Sequence, residues 1–430
     1  MLPSTLDQKM INQLTSSDRN VSLIDTMKRA YSVIDRLGYY YEGYDRQIGP
    51  YQRSEGSIFK NGCESCLAKG SGKGVGKNAT VGAICEALES LSMTKDHYDA
   101  DTVFLPSHSI FEQSQVQNER LTSSIMALEN YPMGFRCYKD ILGNRSLLYP
   151  AFFSTPYYNT YAKGLGDDYD YKTLLRYSSS TGVSIGSCYE EVLVHSINEC
   201  IERDAFGIFL LSALFTDSIP VRIVSHITLP DGIKSRIKEL EIAIGSRIGI
   251  FDLTVIDVQI PVFCAVNLDD WSNGDLPTIK GFGCSLDKDY ALERSVAELA
   301  QFAAICFDEP LTTQNFYNGL LREEPAYLNQ CVRLNLETVL MAKGSSVDYN
   351  SIATYPAGNN VGEQMQLLIQ KLDDKGFEVY FSENANYNNQ LLVGHVFIPG
   401  LEQFYMNAFG GVVLPSNRWQ KIKSYCGLPE

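Results

Sequence analysis

The stretch that says most about the fold of this 430-residue chain reads Ala291-Leu-Glu-Arg294-Ser295-Val-Ala-Glu298-Leu-Ala-Gln301. The apolar residues continue to Phe307 on nearly every side, which predicts a buried helix over residues 290–307. On that helix Arg294, Glu298 and Gln301 fall at i, i+4 and i+7 and form one polar stripe. Ionised groups are rarely buried unless they are paired or bind a metal, so the stripe predicts a polar site inside the protein.

Two earlier segments also place polar residues one turn apart, at Glu86 and Glu89 and at Glu199 and Glu202. A small residue lies one turn before the first acid of each of the three segments: Ala83, Ser196 and Ser295. If the acids share one interior space, a cation must balance them, and carboxylate sets suit Mg²⁺, which often reaches a protein together with nucleotide phosphates. The alternative is that these are solvated faces of amphipathic helices, an interpretation that fits Glu86 and Glu89 best.

Three cations accompany these acids. Arg203 and Arg294 are on the same predicted helices, and Lys73 lies in the glycine-rich run 69–77. They are candidates for neutralising phosphate oxygens, and Arg adds a fork geometry. The run is not a P-loop, because G-x-x-x-x-G-K-[ST] would need glycine at Ser71 or Leu67. His195, one turn before Glu199, is interpreted as a hydrogen-bonded core histidine, with a contact to the site as the alternative.

Composition excludes several classes of protein. The net charge of −15 opposes non-specific binding to nucleic acid, and the N-terminal residues do not have the pattern of a signal peptide. The apolar run Phe206–Phe215 is about half the ~18–20 residues that span a bilayer. The 11 scattered cysteines indicate reduced thiols and hence the cytoplasm. Cys63 and Cys66 have the spacing of half a zinc site, but two thiols on a turn are the simpler interpretation.

The periodicity predicts a compact α+β protein. The predicted helices cover 22–36, 79–93, 188–214, 232–244, 290–307 and 363–374. The predicted strands cover 219–223, 253–258, 261–267, 377–382 and 391–398. Residues 182–187 are expected to form a loop before the second acidic helix.

Five blocks of the sequence, in order, resemble the YcaO family of ATP-dependent enzymes that modify peptide backbones. The blocks are Gly72-Lys73-Gly74 with Glu86 and Glu89, Ser180-Thr181-Gly182 with Glu199 to Asp204, Asp252 to Val262, Gly281 to Gln301, and Pro399-Gly400-Leu401-Glu402. The resemblance runs from about Gly70 to about Glu402. It implies a YcaO-like α+β fold, with mixed sheets packed against helices, over residues 61–430, and an N-terminal segment, 1–60, packed on that body.

The resemblance also implies an ATP site lined by helices, with ATP and Mg²⁺ as cofactors. The implied magnesium ligands are Glu86, Glu89, Glu199, Glu202 and Glu298. The implied nucleotide-binding set adds Lys73, Ser180, Arg203, Arg294 and Gln301. Of these, Glu199, Glu202, Arg203 and Arg294 are the candidate catalytic residues.

In the family, ATP phosphorylates a backbone amide oxygen after a nucleophile has attacked the carbonyl carbon. The implied activity is cyclodehydration of Cys, Ser or Thr to thiazoline or oxazoline in a ribosomally made precursor peptide, as in bacteriocin and microcin biosynthesis. The implied partners are that peptide, a leader-binding protein resembling ubiquitin-activating enzymes, a flavin dehydrogenase and a second copy in a homodimer. Neither a nucleic acid nor a membrane is implied.

Two other functions are also consistent with the sequence. The same chemistry with external sulfide would form a thioamide. A non-catalytic scaffold or regulatory subunit is the other, because Gly82, Ser90, Thr181 and Phe302 replace residues usual in the family, and the end of the chain, Tyr425 to Glu430, has a single proline.

Overall fold

The computed structural model describes residues 18–98, 101–143, 145–216, 219–269, 278–308, 331, 344–355, 360–409, 411 and 413–427. The α-helices within these ranges are α1 Leu23–Arg36, α2 Lys77–Ser92, α3 Arg120–Met126, α4 Tyr158–Tyr161, α5 Tyr189–Phe215, α6 Asp231–Ile244, α7 Lys288–Asp308, α8 Val361–Asp373 and α9 Asn417–Tyr425. The strands are β1 Tyr39–Ile48, β2 Tyr51–Lys60, β3 Cys66–Gly74, β4 Thr102–Pro106, β5 Pro132–Asp140, β6 Ser146–Pro150, β7 Val183–Gly186, β8 Val221–Val224, β9 Ile248–Asp252, β10 Val262–Asn267, β11 Lys280–Cys284, β12 Gly344–Val347, β13 Tyr380–Tyr387 and β14 Leu391–Phe397.

The described strands form three sheets. The first is an antiparallel meander in the order β1-β2-β3, the second runs β11-β10-β9-β8-β12, and the third runs β4-β5-β13-β14-β7 with β6 paired to β5. This mixed arrangement of helices and sheets confirms the predicted fold class. The first sheet joins β2 to β3, so it crosses the boundary between the segment 1–60 and the rest of the chain.

Two helices lie directly against glycine-bearing strands. A Cβ atom at Gly70 or Gly72 would overlap the backbone of α2 at Ala83 or Ala79. In the second sheet, a Cβ atom at Gly281 or Gly283 would overlap the backbone of α7 at Ser295 or Ala291. Small residues on both surfaces therefore bring helix and strand backbones into contact, and this fixes the direction in which the acids one turn further along each helix point.

Helix α5 is the most enclosed long helix of the described chain. Its apolar residues from Leu193 to Ala213 belong to the largest hydrophobic cluster. The Phe206 ring packs against Phe282 of β11, with the ring centroids 4.5 Å apart and the planes tilted by 50°. Ser196 of α5 and Ser184 of β7 are both fully buried, with their hydroxyl groups 2.7 Å apart. The small residue before Glu199 thus allows a strand to approach α5 closely, as the sequence indicated.

The prediction of a loop over residues 182–187 is wrong. Residues Val183–Gly186 form β7, which is buried along its whole length and pairs with β14. The glycines at its two ends and its short length hide the strand pattern, because tertiary pairing rather than local propensity forms it.

The predicted strand at 253–258 is also misplaced. The strand is Ile248–Asp252, and the Asp252 carboxylate accepts the Thr254 N–H at 2.9 Å, which turns the chain away from the sheet. The β-branched residues of the predicted range, Val255 and Val258, are buried, but they lie in a turn that ends at Gln259, whose φ is 57°. Sequence reasoning also missed β1 and β2, since their tyrosine-rich strands lack a clean alternation of polar and apolar residues.

None of the helices in the described ranges is both long and apolar enough to cross a membrane. All 11 cysteines are free thiols. Cys63 and Cys66 are exposed, on the turn between β2 and β3 and at the start of β3.

Replacing Gly281 by alanine is expected to destabilise the fold by about 1–3 kcal/mol, because the added methyl group must push α7 away from β11. Gly232→Ala is the matched control, since a Cβ there meets only the Arg236 guanidinium, at 3.9 Å. Urea unfolding followed by circular dichroism measures the difference. Equal stability of the two variants would contradict the close contact between helix and strand.

Candidate functional site

Strand β3 lies between α2 and α7 and joins them through its alternate residues. Lys73 forms an ion pair with Glu298 of α7. The Gln301 amide, one turn along α7, donates to both the carbonyl and the hydroxyl oxygen of Ser71, each at 2.8 Å. A backbone hydrogen bond from Ser71 also reaches the Glu86 carboxylate of α2. Ser71 and Lys73 therefore bring acids from two helices to one strand.

Helix α5 supplies the third side of the site. The Gly182 N–H donates to the Glu199 carboxylate at 3.2 Å, and the Arg203 guanidinium lies 3.5 Å from the Glu202 carboxylate. His195 Nδ1 lies 3.4 Å from Nη1 of Arg294, which places α5 beside α7. Because an arginine can only donate, this Nδ1 accepts.

The carboxylates of α2 and α5 lie close enough to repel one another. Burial raises the pKa of Glu86 to about 7, and the charges of Glu199 and Glu298 add to the effect. Burial raises the pKa of Glu89 well above its ordinary value, with Glu86 and Glu199 contributing. The Glu86 side chain is exposed to solvent, yet protein atoms crowd its carboxyl group, as expected for a side chain that lines an open cleft.

The acids of α5 behave in the same way. Burial raises the pKa of Glu199 and raises that of Glu202 to about 7, against the opposing attraction of Arg203. For Glu298, burial also favours the neutral form, but the attraction of Lys73 and Arg203 is stronger and its pKa lies below the ordinary value. Five acids from three helices thus share one electrostatic environment, and four of them are under-compensated.

The cations of the site are enclosed as well. The Arg203 guanidinium lies 5.3 Å from the ring centroid of Phe282, and the Lys73 side chain is only 25% exposed. Burial and the Arg294 charge hold the pKa of His195 well below its ordinary value, so this imidazole is neutral. Among the described residues, Arg294 Nε is buried without a hydrogen-bond partner. An unpaired guanidinium N–H in such a place suits an anionic ligand.

Within the described ranges, no three His, Cys, Asp or Glu side chains converge closely enough to hold a metal ion by themselves. The acids nevertheless fit magnesium in their chemistry, since Mg²⁺ takes one or two carboxylates and completes its shell with water and phosphate oxygens. Burial raises the pKa of Glu86 and Glu202 more than the nearby cations lower it, so an added cation would stabilise their charged forms. The residues therefore fit a magnesium ion that arrives with a polyphosphate.

The structure brings together nearly all of the residues singled out from the sequence. Those in the common environment are Lys73, Glu86, Glu89, Glu199, Glu202, Arg203, Arg294, Glu298 and Gln301. Ser180 lies in the adjacent loop with its side chain exposed. Gln301 donates to Ser71, and its contact with nucleotide stays a prediction.

Sequence reasoning missed Ser71, His395 and the backbone of Gly182. His395 is fully buried behind the loop that carries Gly182, and its ring reaches the Thr181 carbonyl oxygen. Ser71 could have been found only from its spacing, because it lies two residues before Lys73 and therefore on the same face of a strand. The other two act through tertiary contacts that leave no local pattern.

Facing helices that enclose carboxylates and cations are typical of proteins that bind metal-bound phosphate groups. The chain belongs to the YcaO family, since the family model described as a YcaO cyclodehydratase that binds ATP and Mg²⁺ matches residues 71–402. No curated protein sequence matches the chain.

Solved structures of similar fold include YcaO from Methanopyrus kandleri bound with AMPPCP and Mg²⁺, at 16% identity and a TM-score of 0.64 over 94% of this chain and 98% of that one. A heterocyclase in complex with substrate and cofactor matches at 15% identity and 0.65, over 93% of this chain and 56% of that one. A chain of the E. coli microcin synthetase McbBCD complex with pro-MccB17 bound matches at 14% and 0.57, over 84% and 88%. These likenesses confirm the fold.

The raised pKa of Glu202 predicts how the ligand-free protein responds to pH. A carboxyl group whose folded pKa is about 7 stabilises the fold below its unfolded value near 4.5, and this contribution is lost as the pH rises towards 7. Glu202→Gln should therefore unfold at a higher temperature than the parent chain at pH 8, with the gap closing near pH 5. Differential scanning calorimetry measures it.

Glu239→Gln, on the exposed face of α6, is the matched control and should leave the transition unchanged at both pH values. A Glu202→Gln variant less stable than the parent at pH 8 would show that Glu202 is already compensated by the protein.

Proposed function

We propose that the chain uses ATP and Mg²⁺ to phosphorylate a backbone amide oxygen in a ribosomally made precursor peptide, cyclodehydrating Cys, Ser or Thr to thiazoline or oxazoline. The observation that carries this proposal is the convergence of five acids from three helices, four of them with raised pKa values, beside an arginine Nε without a partner among the described residues. Such a set suits Mg²⁺ and phosphate together, and membership of the family supplies the reaction class.

In this proposal the glutamates of the three helices hold magnesium: Glu86, Glu89, Glu199, Glu202 and Glu298. Lys73, Arg203 and Arg294 neutralise the phosphate oxygens, and Ser180 and Gln301 complete the nucleotide contacts. For Gln301 this requires that its amide leave Ser71 or share its two hydrogens between Ser71 and the nucleotide.

ATP supplies the phosphoryl group that turns a poor leaving group, the amide oxygen, into a good one. The chain's own residues supply position and charge. Lys73 and Arg203 are held by buried acids and Arg294 lies against Tyr290, so their charges are oriented before the ligand arrives. The Arg203 and Glu202 side chains are enclosed, which strengthens the electrostatic interactions that they make.

We infer a cytoplasmic synthetase complex of the bacteriocin or microcin type as the setting. Its other members would be a leader-binding protein resembling ubiquitin-activating enzymes, a flavin dehydrogenase that oxidises azolines to azoles, and a second copy of this chain. The free cysteines favour the cytoplasm, and the microcin synthetase complex supports a multi-protein assembly by analogy.

Mass spectrometry of a precursor peptide co-expressed with the chain distinguishes the products. Cyclodehydration removes about 18 Da per site, cyclodehydration with oxidation removes about 20 Da, and thioamide formation adds about 16 Da, since the amide oxygen leaves as phosphate in each case. We expect the loss of 18 Da. An unchanged peptide together with no consumption of ATP would favour the scaffold alternative.

Arg294→Lys should lower ATP consumption by about 100-fold or more, because lysine keeps the charge but lacks the Nε–H and the fork. The exposed Arg247→Lys is the matched control and should retain parental turnover. Phosphate release measured with saturating Mg²⁺ gives the comparison. Parental turnover in Arg294→Lys would remove Arg294 from the site.

A further inference from the structure

The loop Ser179–Gly182 is the structural link between the third sheet and Glu199. Gly182 has a φ of 85°, and a Cβ there would overlap the Val396 carbonyl oxygen of β14. Its N–H donates to Glu199, and its carbonyl accepts the Val396 N–H at 2.9 Å. The position of Gly182 relative to β14 therefore determines where a hydrogen-bond donor to Glu199 lies.

His395, next to Val396 on β14, holds the other side of this loop. Its Nε2 lies 3.0 Å from the Thr181 carbonyl oxygen, and its Nδ1 lies 2.9 Å from the Tyr138 hydroxyl. A carbonyl oxygen can only accept, so Nε2 carries the hydrogen. In the neutral ring Nδ1 is then an acceptor for the Tyr138 hydroxyl, which also donates to Ser154 Oγ at 3.1 Å. Both nitrogens of a fully buried ring are thereby satisfied by one tautomer.

Burial keeps this ring neutral, and a buried cation nearby adds to the effect. Arg136 is 1% exposed and donates to neutral oxygens of Ser154, Ser382 and Glu383, the last through its backbone carbonyl. Burial, with the Arg136 charge nearby, lowers the pKa of His395 to about 3. The Nε2–H tautomer is therefore the form of His395 throughout the physiological range.

The hydroxyl groups of the loop are tied down by their neighbours. The Ser179 hydroxyl donates to Thr181 Oγ1 at 2.9 Å and accepts the Thr181 N–H at 3.0 Å. Tyr405 also hydrogen-bonds the Thr181 side chain. With the Thr181 side chain and N–H engaged in this way, His395 is what fixes its carbonyl and thus the peptide plane that leads into Gly182.

We propose that His395 is a positioning residue for the magnesium–nucleotide site: by donating from Nε2 to the Thr181 carbonyl, it holds the Gly182 N–H on Glu199 and so orients this carboxylate for Mg²⁺. This rests on the proposed function. Outer contacts that orient metal-binding side chains typically change metal affinity by about 10–100-fold when they are removed.

His395→Met removes the donor and keeps an apolar side chain of similar size, whereas His395→Gln places an amide N–H near the position of Nε2. Isothermal titration with a non-hydrolysable ATP analogue and excess Mg²⁺ should show about tenfold or weaker binding for His395→Met and recovery to within about threefold for His395→Gln. His226→Met, at a histidine outside the site, should bind like the parent. The titrations are run well below the unfolding temperature of each variant.

A second pair of variants separates positioning from a general structural role. In a Glu199→Gln background, His395→Met should weaken binding no further, because both changes act through one carboxylate. An equal loss in both backgrounds, or parental binding by His395→Met, overturns the inference while the proposed function stands. Failure of the parent chain itself to bind the Mg²⁺ complex overturns both.

Nitrogen-15 NMR of labelled histidines in the ligand-free chain gives an independent reading of the tautomer. Among the 5 histidines, the signal that disappears in His395→Gln should be a neutral ring with its hydrogen on Nε2, unchanged down to about pH 5. A signal of the Nδ1–H form, or one that titrates near the ordinary pKa of about 6.5, would contradict the proposed hydrogen bond.

Discussion

The ion pair between Lys73 and Glu298 joins strand β3 to helix α7 at the centre of the acidic site. Of the five glutamates there, Glu298 is the one whose pKa is lowered, because Lys73 and Arg203 outweigh its burial. The other four are left with raised pKa values. The protein therefore neutralises one acid securely and leaves the rest in need of a cation, which is a state suited to binding rather than to stability.

Close packing of backbones makes this arrangement possible. Gly72 lies against α2 and Gly283 lies against α7, so both helices sit directly on strands and turn the acids that follow towards one space. Bulkier residues at these strand positions would separate the helices from the sheets by the width of a side chain. Hydrophobic burial elsewhere in the fold, chiefly around α5, offsets the free-energy cost of enclosing like charges.

Much of the site could be predicted from the sequence because its residues follow the helical repeat. Arg294, Glu298 and Gln301 lie on one face of α7, and Glu86 and Glu199 each follow a small residue by one turn, so local spacing alone grouped them. The strand Val183–Gly186 and the hydrogen bond from His395 to Thr181 could not be predicted in this way. Both depend on β14, which lies some two hundred residues later in the chain, and such pairing has no local signature.

Protonated carboxyl groups of the site should give up their protons when a magnesium–polyphosphate ligand binds. Calorimetric titration with the preformed Mg²⁺ complex of a non-hydrolysable ATP analogue, in two buffers of different ionisation enthalpy, measures this directly. We expect release of about one proton or more at pH 6.5, falling towards zero at pH 9, because Glu86 and Glu202 have pKa values of about 7. Binding without proton release at pH 6.5, or equal affinity when Mg²⁺ is withheld, would contradict it.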